Sequence, residues 1–217
     1  MNILGICGSP RGNKSQTKVL AEKVLEAAKT RGAKVEMIDL SEAQMKFCRA
    51  CEACHEGPDC VHNDDTRQIL DKMLAADGIV LATPVYLSQV TAQLKAVLDR
   101  SSHFIHCLRL MGKYVASVAT SGGGNATEMH AFLKNYAFSV GAQFVGSVDA
   151  AIPLKNADLA AASALGESLF SAVREGIVYP EQAQIIETKK RYFARIIAMR
   201  KDQWPYEYEY WKQKGWL

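Results

Sequence analysis

Four cysteines fall within thirteen residues, Cys48, Cys51, Cys54 and Cys60, in the spacing C-x2-C-x2-C-x5-C. Thiolates are soft ligands, and so many of them on so little chain suit an iron–sulfur cluster. Two-residue gaps let one loop wrap a face of a small inorganic cage, and the last gap, through Gly57-Pro58, lets the fourth thiolate return. The run is not the bacterial ferredoxin motif, whose last gap is three residues and whose fourth cysteine precedes proline. Zinc also accepts four thiolates, although structural zinc sites pair two C-x2-C knuckles across a longer gap. Zinc and free thiols stay open as alternatives. His55 and His62 flank the segment and are expected to be solvated or to support the ligands.

A second cluster of chemistry opens the chain. A short apolar run ends in Gly8-Ser-Pro-Arg-Gly-Asn-Lys-Ser15. A strand, a tight loop and a helix start in this order form an anion site, because the free N–H groups and the dipole of the first helical turn face the ligand. Ser9, Ser15 and Thr17 add hydroxyls, and Arg11 adds a planar fork that matches a phosphate. The loop is not a Walker motif, since Asn13 stands where a glycine must precede the lysine. Nor does it carry G-x-G-x-x-G, because Gly5, Gly8 and Gly12 have the wrong gaps. A loop for one terminal phosphate remains, for which FMN is the natural ligand. The plainer alternative is a strand–helix turn capped by serine.

These loops need a frame. Apolar strands alternate with amphipathic helices, the pattern of an α/β parallel sheet. Strands are expected near 2–7, 34–39, 78–83, 113–120 and 143–148. Helices are expected near 15–31, 65–75, 90–100, 126–139 and 158–175, with Asp64 as a candidate N-cap of the second. Five strands in this alternation fit a doubly wound sheet, which binds ligands beyond the carboxyl ends of its strands. Three loops qualify there: Ser9–Thr17, Pro84–Gln89 and Ser121–Asn125. The cysteine segment occupies about 41–63, after the second strand.

Residues 180–217 read as an extension to a domain of residues 1–179. A helix near 181–202 precedes a tail holding all three tryptophans, Trp204, Trp211 and Trp216. Such aromatics need a partner surface, either their own domain or a neighbouring subunit. The chain of 217 residues is 48% hydrophobic and 23% charged, ordinary for one globular α/β domain. A formal charge of +3 without any basic block gives no case for nucleic acid. No apolar run reaches the roughly 18 residues of a membrane helix. The first residues read as a buried strand and not as a signal peptide, so a reducing cytoplasm is expected.

On these motifs the chain resembles a known family. Gly8-Ser-Pro-Arg-Gly-Asn-Lys-Ser-Gln-Thr17 is similar to the FMN phosphate loop of the NADPH-dependent FMN reductase superfamily. Thr83-Pro-Val-Tyr86 resembles its flavin-ring loop, and Gln93-Leu-Lys-Ala-Val-Leu-Asp-Arg100 its next helix. With the cysteine segment after the second strand, the chain resembles the iron-sulfur flavoprotein branch. The resemblance implies a flavodoxin-like sheet of order 2-1-3-4-5, one FMN and a [4Fe–4S] cluster on Cys48, Cys51, Cys54 and Cys60. It places phosphate contacts on Ser9, Arg11, Asn13, Ser15 and Thr17, and ring contacts on Pro84, Val85, Tyr86, Ser121, Gly122, Gly123 and Gly124. It further implies a homo-oligomer, a dimer or tetramer, in which a cluster lies near a flavin, and a redox partner such as a ferredoxin or NAD(P)H.

No residue constellation for covalent catalysis stands out, and none is needed when a flavin carries the chemistry. His103 and His106 stand at i, i+3 with no carboxylate nearby in sequence, a weak case for a metal. Cys7 is expected as a core residue, and Cys107 has no evident role. Two other functions compete with an electron-transfer flavoprotein: a cluster-free NAD(P)H-dependent FMN or quinone reductase, and a redox- or metal-responsive interaction module.

Overall fold

Each apolar run becomes a strand of one parallel sheet. The computed structural model describes residues 1–123 and 126–217. Its strands are β1 (Asn2–Cys7), β2 (Lys34–Asp39), β3 (Gly78–Pro84), β4 (Tyr114–Ser121) and β5 (Gln143–Ala151), in the order β2-β1-β3-β4-β5. All pairings are parallel. The central β1, β3 and β4 are buried almost throughout, as strands covered on both faces must be, while β2 and β5 are partly exposed at the edges.

Side chains alternate across a strand, so each strand feeds two cores. Ile3 and Cys7 of β1 and Val80 and Ala82 of β3 face α1 (Gln16–Thr30) and α7 (Asn156–Glu175). Leu4 and Ile6, with Ile79 and Leu81, face α3 (Thr66–Ala75), α4 (Ala92–Arg100) and α6 (Thr127–Ser139). Cys7 is a core residue, as expected.

Helix starts differ by a residue or two from the sequence expectation, and the caps explain why. Ser15 does not begin α1; its Oγ accepts the Lys18 N–H at 3.1 Å as N-cap. Thr91 caps α4 in the same way and donates its hydroxyl to the Gly8 carbonyl at 2.6 Å. The residue flanking α3 is Asp65, not Asp64. Asp64 accepts the Thr66 N–H but is committed mainly to Arg100.

Three short helices are additional to the expected set: α2 (Ala53–Glu56), α5 (Ser102–His106) and α9 (Pro205–Gln213). The tail packs on its own chain. Helix α8 (Pro180–Met199) buries Ile186 in the core, and Gln182 bonds the Phe144 N–H and carbonyl of edge strand β5 at 2.8 and 2.9 Å. Trp204 and Trp211 then close a third cluster with Cys107, Leu108 and Ile197, which gives Cys107 a packing role.

Helices α1 and α7 cross closely because Gly166 has no side chain. A Cβ there would clash with the Val24 carbonyl oxygen, which is backbone and cannot swing aside. We therefore predict that Gly166→Ala lowers stability by about 2 kcal/mol or more, read as an earlier denaturant midpoint. An unchanged midpoint would show that the two helices slide apart freely.

Candidate cofactor sites

The carboxyl ends of β1, β3 and β4 bring three loops together around a cleft of ≈ 190 Å³. Ser9, Arg11, Ser15 and Thr17 line one side, Pro84, Val85 and Tyr86 a second, and Ser121 and Gly122 a third. The loop after β1 turns at Gly12, whose φ of +52° is cheap only for glycine, then makes one 3-10 turn over Gly12–Lys14 before α1. Ser9 and Ser15 are buried at the cleft wall, and their oxygens accept N–H groups from Arg11 and Lys18. Thr17 and Thr120 share a hydroxyl hydrogen bond of 2.5 Å across the cleft floor. Lys18 is neutralised by Asp39 at 2.9 Å. Arg11 forms no ion pair among the described residues and remains a charged fork at the cleft wall.

Not every expected residue gathers there. Asn13 does not line the cleft; its Oδ1 accepts from Lys18 Nζ at 3.0 Å, on the outer side of the loop. Gly123 also lies off the lining, its N–H on the Ser121 hydroxyl, and Gly124 falls outside the described residues. Conversely, Gln16, Thr120 and Ile152 line the cleft and were not singled out by the sequence. Ile152 follows β5, so extending the strand-end argument to the fifth strand would have found it. The loop after β3 is unusual. Tyr86 and Gln89 pair across a two-residue turn whose Leu87 and Ser88 have φ of +49° and +63°. Non-glycine residues in this region store strain, which persists where the surroundings hold it in place.

The second site is built from the cysteine segment. Cys48, Cys51, Cys54 and Cys60 all line one cavity of ≈ 400 Å³, with Arg49, His55, His62, Asp99 and Arg100. The backbone is bent to achieve this: Ala50 and Glu52, on either side of Cys51, have φ of +51° and +60°. Three anchors hold the segment. Asp64 and Asp65 accept the Lys46 and Gln44 N–H groups at its start, at 2.9 and 2.7 Å. Arg67 pairs with Asp59 near its end, at 2.8 Å.

The middle anchor comes from the other end of the chain. Glu207 of α9 is 1% exposed, and its two oxygens meet His55 Nδ1 at 2.6 Å and His106 Nδ1 at 3.2 Å. Burial alone would raise the Glu207 pKa, but the bonds from His106 and His55 hold it below the usual carboxylate value. An ionised carboxylate only accepts, so both rings present Nδ1–H to it. The imidazoles stack on each other, with centroids 4.8 Å apart, and against Trp204. The carboxylate missing from the sequence around His106 is therefore supplied from about a hundred residues away. His103 is not part of this group; burial drives its pKa down to about 4.

The thiols differ among themselves. Cys51 has a lowered pKa, chiefly because the Ala53 N–H points at its sulfur, with Arg49 adding to the effect. Burial pushes Cys54 up to about 11, so this thiol resists ionisation until a cation or an iron compensates it.

The sequence matches the NADPH-dependent FMN reductase family over residues 1–157. The chain belongs to that family. As a member it is a flavin-dependent oxidoreductase with an FMN-binding, flavodoxin-like frame, and it stands with the iron-sulfur flavoproteins. One iron-sulfur flavoprotein of Archaeoglobus fulgidus is 29% identical over 100% of both chains. Another, from Methanosarcina thermophila, is 45% identical over 46% of this chain and 52% of its own length. A flavodoxin-type, WrbA-like protein of Agrobacterium tumefaciens superposes with a TM-score of 0.61 at 20% identity, covering 81% of this chain and 99% of that one. In this family member, the cleft at the ends of β1, β3 and β4 coincides with the place where a doubly wound sheet binds its ligand.

No helix among the described residues is long and apolar enough to cross a membrane.

Proposed function

We propose that this protein is a cytoplasmic electron-transfer flavoprotein that couples FMN to a [4Fe–4S] cluster on Cys48, Cys51, Cys54 and Cys60. The observation that carries the proposal is the single cavity lined by all four thiols. Its chemistry fits the group: a soft four-sulfur donor set, a loop bent by two left-handed residues, and a buried arginine at the wall. When bound, FMN supplies one- and two-electron chemistry and the cluster supplies single-electron steps to a protein such as a ferredoxin.

The chain's own residues do the remaining work. Arg11, with the Ser9, Ser15 and Thr17 hydroxyls and the first turn of α1, holds the terminal phosphate. Pro84, Val85 and Tyr86, with Ser121 and Gly122, seat the ring. Gly122, which has no side chain, leaves room for its backbone N–H to approach the ring. Among the described residues the two cavities share none. They lie at opposite ends of α4, whose N-cap Thr91 bonds the phosphate loop and whose last residue, Arg100, lines the cysteine cavity. Nine helical residues rise about 13 Å. That separation favours an oligomer in which a cluster approaches a neighbour's flavin. Residues 1–179 serve as the FMN unit, and the outer face of the 180–217 extension, with Ile185, Tyr192 and Met199 exposed, offers the subunit contact.

Removing the phosphate clamp tests the flavin half. Arg11→Ala is expected to weaken FMN binding about tenfold or more, as for a lost charged hydrogen bond. Quenching of flavin fluorescence on titrating the apoprotein reads this directly. Equal affinity in the variant would remove Arg11 from the phosphate site.

A further inference from the structure

The cysteine cavity has one wall that is neither thiol nor loop backbone. Arg100, the last residue of α4, is 5% exposed. Its Nη1 donates to Asp64 Oδ2 and to the Lys46 carbonyl, both at 2.8 Å, and its Nη2 reaches Asp64 Oδ1 at 3.3 Å. The fork is thus fixed from one side, and the salt bridge leaves no freedom to swing into solvent. Its Nε–H is buried and has no partner among the described residues. A buried donor without an acceptor is costly, so such a group marks the place where an acceptor belongs. The same residue lines the cavity of the four thiols and, together with Cys60, the neighbouring cavity on the other side of that cysteine. The Asp64 carboxylate at 2.8 Å compensates the buried Arg100 charge. Asp64 in turn stays ionised, well below the usual carboxylate range, because Arg100 and the Lys46 and Thr66 N–H groups outweigh its burial.

We propose that Arg100 sets the reduction potential of the cluster by donating its Nε–H to sulfur on the Cys60 side. This rests on the [4Fe–4S] reading above. Each one-electron reduction adds a negative charge that spreads over the cluster sulfurs. A hydrogen bond to sulfur stabilises that charge and raises the potential. No bond to Arg100 is made or broken in the step, and no proton is transferred. Asp64 and the Lys46 carbonyl act as the clamp that turns Nε toward the cavity. Arg49 lines the same cavity but is exposed and has no comparable clamp.

The test uses the full chain, purified without oxygen and titrated with dithionite. Paramagnetic resonance reads the cluster, and absorbance reads the flavin in the same sample. Arg100→Lys keeps the charge and loses the Nε donor; Arg100→Gln loses both. Both variants are expected to show a lower cluster potential, Gln more than Lys, with the flavin potential unchanged. Loaded variants with the wild-type cluster potential overturn the inference, and so does an equal shift of both centres. In parallel, wild-type protein grown with arginine labelled with nitrogen-15 at Nε is expected to show a nitrogen coupling to the reduced cluster. If neither Arg100 variant takes up iron, the labelled Arg49→Lys protein decides. A persisting coupling assigns the donor to Arg100, and a missing one overturns it. Wild-type protein without iron would remove the proposed function as well as this inference, whereas loaded wild type with an indifferent Arg100 removes this inference alone.

Discussion

Cys54→Ser is expected to yield a protein that keeps its flavin and loses nearly all of its iron. Cys54 is the thiol of the four that burial affects most, sitting on the one-turn helix α2 beside His55. A serine oxygen is a harder and poorer ligand for iron, and its shorter bond cannot be recovered by loop movement where α2 is pinned. The cleft for FMN shares no residue with the cysteine cavity, so flavin content stays at the wild-type level. Iron and sulfide analysis reads the first effect and the flavin absorbance the second. Transfer of electrons from reduced flavin to a ferredoxin-like acceptor should fall with the iron. A Cys54→Ser protein with full iron and full transfer would show that the cysteines are not the ligands.

Glu207→Ala should cost about 3 kcal/mol, because it leaves the N–H groups of buried His55 and half-buried His106 without their acceptor and opens a hole in the aromatic cluster around Trp204. For a chain of this size that corresponds to roughly 6–12 °C in Tm. The sign of the pH effect follows from the lowered Glu207 pKa. Its folded value lies below the unfolded 4.5, so its contribution is fully present above pH 4.5 and fades as pH falls through the folded value. The gap in stability between wild type and Glu207→Ala should therefore narrow on acidification below that point. A gap that is small at neutral pH, or that widens in acid, would deny Glu207 the role of clasp between α9 and the cysteine segment. Because His55 neighbours Cys54, the variant should also lose iron faster to a chelator.

The two predictions divide what a sequence can and cannot disclose. The sheet was legible because its central strands are buried on both faces and so read as unbroken apolar runs, with β2 expected over the very residues it occupies. The loop after β1 and the cysteine run were legible as candidate sites because their polar and thiol side chains sit a few residues apart. Helix starts were misplaced by one or two residues where a capping serine or threonine was counted as the first helical turn, as with Ser15 and Thr91. Helices α2 and α5, of four and five residues, are too short to show a period. Helix α9 was hidden by its aromatic composition, and only tertiary burial of Trp211 explains it. The Glu207 clasp joins positions 152 residues apart, and no local pattern announces such a pair. The same holds for Arg100. It reads as the end of an ordinary helix until Asp64 and the cysteine cavity are placed around it.

The most direct test of the account is the composition of the protein as isolated without oxygen. Iron, acid-labile sulfide, zinc and flavin are measured on one sample alongside its absorption spectrum. Flavin bands over a broad cluster absorbance are expected, with about four iron and four sulfide per FMN and no zinc. Flavin with no iron, or zinc in its place, would contradict it and leave a simple FMN reductase whose cysteine segment is structural.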